Sequence, residues 1–96
     1  MSRWMVEKQL SASAERLRRL RNELAVVDEQ LAHLGDTADE ARLRALVSET
    51  PLADREHTDA RRHAEAMAGQ RARVVAAIGK LESSQDDLLD RLLAER

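Results

Sequence analysis

The sequence predicts an all-α fold, an antiparallel coiled-coil helical hairpin, on three observations. Apolar residues recur at the three-and-four spacing of a coiled-coil seam along Leu10, Leu17, Leu20, Leu24, Val27, Leu31 and Leu34. A second series, Met67, Val74, Ile78, Leu81, Leu88 and Leu92, can be set against the first in the opposite direction. The only proline, Pro51, lies between the two series and follows Thr50, so a helix restart is expected there.

The first helix is expected over about 2–34, because Gly35 stands where a helix C-terminal glycine belongs. Thr37-Ala38-Asp39-Glu40 then fits a capping box, in which the Thr37 hydroxyl and the Glu40 carboxylate each bind the other's backbone N–H. A short helix over about 37–49 follows from it. Thr50 reads as the N-cap of a third helix, about 51–94, with Pro51 at its first position where the missing N–H is harmless. Gly69 and Gly79 lie inside that helix at about 1 kcal/mol each relative to Ala, which supercoil packing can absorb.

In an antiparallel pair, a positions of one helix face d positions of the other, so one register must satisfy the whole seam. Pairing residues whose numbers sum to 98 does so: Val6 meets Leu92, Leu10 meets Leu88, Leu17 meets Leu81, Leu20 meets Ile78, Leu24 meets Val74 and Leu31 meets Met67. The polar residues Ser13 and Gln85 fall opposite each other, and Val27 opposite Arg71 is the imperfect layer. Past Gly35 the same register sets Ala38 against Ala60, Ala41 against His57 and Ala45 against Ala53, and centres the turn on Glu49. The competing arrangement is a three-helix bundle in which helix 37–49 folds back, bending at Gly35-Asp36-Thr37.

Composition narrows the function. Ninety-six residues with 43% apolar content, one aromatic and no Phe or Tyr can bury a long seam but not a closed, walled cavity, so a single helical domain and no enzyme are expected. No catalytic residue, cofactor or metal site is assigned. Sixteen basic against eighteen acidic residues leave a net charge of -2, which favours neither nucleic acid nor an anionic membrane. Cysteine is absent, ruling out a disulfide framework and thiolate chemistry. No leader-like or membrane-spanning run is present, so a cytoplasmic location is expected, and the preference for Arg over Lys suggests a bacterial genome of high GC content.

Leu43, Leu46, Val47 and Leu52 are the leading site candidates, since they break the phase of the seam and in the hairpin would emerge at the turn with nothing to cover them. They read as a docking surface for a partner protein or a second copy of the chain; in the bundle they would be core. Trp4, beside Met5 and Val6 and opposite Leu89, Leu92 and Leu93, either closes the open end of the hairpin or makes a second adhesive surface there. Arg16, Arg18, Arg19 and Arg21 form the densest basic stretch, but they alternate around the helix between Glu15 and Glu23 and have no stacking aromatics, so nucleic-acid binding is a third reading. Glu56, Asp59 and His63 share a helix face, yet the facing helix would offer only Ala41 and Ala38, and a metal is not expected. His33 stands near the expected C-terminus of the first helix, where the dipole suits it.

Pro51-Leu52-Ala53-Asp54-Arg55-Glu56 opening a helix, followed by Ile78-Gly79-Lys80-Leu81-Glu82, resembles the coiled-coil arm of DksA/TraR-type regulators of RNA polymerase. Asp54 is the residue that matches the acidic tip pair of that family, whose zinc-binding cysteines are missing here. The resemblance implies a regulator that inserts its tip into a large machine and presents Glu49, Asp54 and Glu56 there. The first expectation remains a non-enzymatic adaptor or scaffold that binds a protein partner or itself.

Overall fold

The computed structural model describes residues 2–94 and contains two helices, α1 (Arg3–Ser48) and α2 (Pro51–Ala94), forming an all-α hairpin. Ser2 caps α1 by accepting the Met5 N–H on its hydroxyl at 3.2 Å. Thr50 caps α2 in the same way, accepting the Ala53 N–H at 3.2 Å, with Pro51 at the first helical position. Between the helices Glu49 adopts a left-handed conformation, φ 52°, which lets the chain leave α1 and reach the Thr50 cap in two residues.

The break expected near Gly35 does not occur, and no separate helix over 37–49 folds back. Helix α1 runs through Gly35, whose φ is not positive, and the Thr37 hydroxyl donates to the His33 carbonyl at 3.1 Å instead of capping a new helix. Seam packing explains the continuity. The three-and-four repeat carries on through Leu31, Leu34, Ala38, Ala41 and Ala45, all partly or fully buried, and this outweighs about 1 kcal/mol for a helical glycine. His33 consequently lies inside a helix and meets no helix C-terminus.

The chain divides into two units, Met1–Leu24 with Arg73–Arg96, and Ala25–Ala72. In the first, henceforth the terminal unit, Val6, Leu17, Val74 and Leu88 are buried and Leu10, Leu20, Leu24, Ile78, Leu81 and Leu92 partly so. These are the seam positions of the 98 register. On one flank Arg21 reaches Glu82 across the two helices at 3.4 Å, the contact expected between e positions of an antiparallel pair. In the layer of Ser13 and Gln85 the Ser13 hydroxyl is buried and makes no hydrogen bond.

In the second, the turn unit, Val27, Ala41 and Ala53 are the buried apolar residues. Val27 is only 5% exposed although an arginine stands opposite. Arg71 resolves this imperfect layer by sending its guanidinium outward to Asp28, Nε to Oδ1 at 2.6 Å, so that a charged residue can occupy a seam position without burying its charge.

Candidate functional site: the turn and its exposed apolar side chains

Three alanines and one histidine line the seam nearest the turn, where Ala41 and Ala53 are buried and Ala45 and His57 partly so. Small seam residues let the helices approach closely but leave the large apolar residues of this segment nowhere inside to go. Leu43, Leu46 and Val47 fall at i, i+3 and i+4 on the outer side of α1, with 63%, 65% and 85% of their surface exposed. Leu52 projects outward from the first turn of α2 at 65% exposure. Val47 and Leu52 hold equivalent c positions in the two heptad series and therefore share a flank; Leu43 and Leu46 wrap the patch around the back of α1.

The acidic residues of the turn do not converge. Glu49 sits in the linker, Asp54 in the first turn of α2, and Glu56 two residues on, so Asp54 and Glu56 lie about 200° apart around the helix. All three are exposed. Among the described residues no three His, Cys, Asp or Glu side chains are grouped to hold a metal ion.

Trp4 belongs to the terminal unit. Its ring is 67% exposed, with the Lys8 ammonium 5.1 Å from the ring centroid, and Trp4, Met5, Lys8, Gln9 and Ala12 border a shallow depression. Leu89 and Leu93 are exposed as well. Within the basic stretch, Arg18 and Arg19 pair with Glu15 at 3.4 and 3.6 Å, and Arg21 with Glu82. These side chains are engaged with carboxylates of their own chain.

A groove that the seam spacing does not single out lies in the turn unit. Glu29, Gln30, His33, Leu34 and Met67 border this open groove of about 440 Å³. Its origin lies in the register: Leu34 faces Ala64, the first layer in which a leucine meets an alanine, so Leu34 and Met67 are left partly uncovered. That mismatch was the available signal.

No helix among the described residues is long and apolar enough to cross a membrane. No protein family, no curated protein and no solved structure matches the chain.

Proposed function

We propose that the chain is a non-enzymatic coiled-coil adaptor or scaffold that binds a protein partner, or itself, through apolar surfaces at the turn and at the open end. One observation carries this reading. Near the turn the seam is made of alanine while Leu43, Leu46, Val47 and Leu52 stand outside it, 63% to 85% exposed. Apolar residues clustered in this way on a solvated helix pair favour a covered surface. Each contributes about 1.5–3 kcal/mol if fully buried, against which the ordering costs of association are set.

The test compares wild type with Leu46→Glu. Partner capture is expected to disappear in the variant while the circular dichroism of the helices stays unchanged, because the side chain is not core. Retained capture of the same species would remove the turn surface from the proposal.

A second reading rests on Glu49, Asp54 and Glu56, three exposed carboxylates around one turn, and on the resemblance to polymerase regulators. It expects wild type to alter transcription by RNA polymerase in vitro and Asp54→Asn with Glu56→Gln to lose that effect while still binding. An unchanged transcription rate with wild type sinks it. We rank it behind the adaptor reading because Asp54 and Glu56 lie in different directions, and nucleic-acid binding behind both because Arg18, Arg19 and Arg21 are ion-paired within the chain.

A further inference from the structure

The terminal unit has a second stripe beside its seam. On α1, the e and b positions of the heptad are Trp4, Glu7, Ser11, Ala14, Arg18 and Arg21; on α2 they are Val75, Gly79, Glu82, Asp86, Leu89 and Leu93. In an antiparallel pair the e positions of both helices fall on the same flank, and the Arg21 to Glu82 ion pair at 3.4 Å shows that flank here. Four exposed large apolar residues of this unit, Trp4, Val75, Leu89 and Leu93, therefore lie on one side. Gly79 and Ala14 interrupt them with little or no side chain, and an added Cβ at Gly79 would meet nothing within 4 Å. The surface can be approached closely from outside.

Apart from Glu7, which pairs with Arg3 on its own helix at 3.2 Å, charge on this flank is sorted by helix. Arg18, which also holds Glu15 at 3.4 Å, and Arg21 stand on α1, Glu82 and Asp86 on α2. In the 98 register Leu93 is level with Met5, Leu89 with Gln9, Asp86 with Ala12 and Glu82 with Arg16. A two-fold axis running along the hairpin, which lays α1 of one copy on α2 of the next, then sets Trp4 against Leu93 and Leu89, Ser11 against Asp86, and Arg18 against Glu82. The opposite choice, α1 on α1, brings the two arginine-bearing edges together. Every neighbouring helix pair in the favoured arrangement is antiparallel, as in an up-and-down four-helix bundle.

The terminal flank, about 22 residues of helix at 1.5 Å each and two helix diameters of about 10 Å across, measures roughly 33 by 20 Å before side-chain relief is counted. That approaches the ~800 Å² per partner of a standard stable interface.

We infer that this flank of the terminal unit, with Trp4, Leu89 and Leu93 at its apolar end and Arg18 opposed to Glu82, binds a second copy of the chain to form a four-helix dimer. The inference deepens the self-association at the open end proposed above and rests on that part of the reading; it does not depend on the turn surface.

The experiment is sedimentation velocity on wild type, Arg18→Glu, Glu82→Arg, and an equimolar mixture of the two variants, with circular dichroism as the folding control. Wild type is expected to be a dimer. Each variant alone places like charges opposite each other twice per dimer and should weaken association about tenfold or more, whereas the mixture restores an opposite pair at both contacts and should recover the dimer. Leu89→Glu should give a helical monomer that no mixing rescues. A monomeric wild type, or a dimer indifferent to Arg18→Glu and Glu82→Arg, overturns the inference. A dimer dissociated by Leu46→Glu but not by Leu89→Glu also overturns it, while supporting self-association through the turn.

Discussion

The terminal unit packs leucine, isoleucine and valine against one another in its seam, while the turn unit, beyond Leu31 and Leu34, packs mostly alanine and keeps Leu43, Leu46 and Leu52 outside. Both obey one register, so the difference lies not in geometry but in where each invests apolar surface. Leu17 is 5% exposed and Leu46 is 65% exposed, although both are leucines on the same helix. Burial of the first contributes to folding at about 1.5–3 kcal/mol, and the second contributes that only if something else covers it. Coiled-coil stability and adhesive surface are thus assigned to different stretches of one pattern.

The largest effect that could break this comparison comes from truncating the two leucines. Leu17→Ala is expected to lower unfolding free energy by about 2–4 kcal/mol in urea titration, since it empties a layer shared with Leu81. Leu46→Ala should change it by no more than about 0.5 kcal/mol. Equal losses would mean that Leu46 is core and the two units do not differ as described. Next comes Ser13, a flaw in the better-packed unit: its buried hydroxyl has no partner, so Ser13→Ala should stabilise by about 1 kcal/mol or somewhat more. Destabilisation would show that the hydroxyl finds a hydrogen bond in solution.

The smallest effect belongs to the turn unit. A Cβ at Gly35 would meet nothing within 4 Å, so Gly35→Ala should raise the melting temperature by the equivalent of up to about 1 kcal/mol and narrow the gap between the units. The opposite sign is required if the chain breaks there, because alanine is strained in the left-handed conformation of a C-terminal glycine.

Much of this was legible before any coordinates. The 98 register, the Thr50 cap, Pro51 at the start of α2 and the exposure of Leu43, Leu46, Val47 and Leu52 in a hairpin all follow from spacing and from residue chemistry that acts over a few positions. The continuity through Gly35 is not legible locally, because its signals are local and competing. A glycine followed by a Thr-x-x-Glu box is a sound stop and start, but Leu31, Leu34, Ala38, Ala41 and Ala45 keep their phase across it, and each has a partner on α2. Long-range packing outweighs the local stop, and the unbroken phase is its signature in the sequence. Spacing puts Ser13 opposite Gln85 but does not reveal that its hydroxyl goes without a partner, because facing positions do not guarantee a bond between a short hydroxyl and a half-buried amide. The irregular layer of Val27 and Arg71 is legible in the sequence, whereas its resolution through Asp28 rests on side-chain geometry.

Native-state hydrogen exchange tests the division most directly, because it reads opening free energies residue by residue in the intact chain. The account predicts that amides around Leu17–Leu24 and Val74–Leu81 exchange only through global unfolding, while those around Ala38–Ala45 and Ala53–Ala60 exchange through a separate, lower-energy opening. Uniform protection along both helices would contradict it, showing that the alanine layers hold as firmly as the leucine ones.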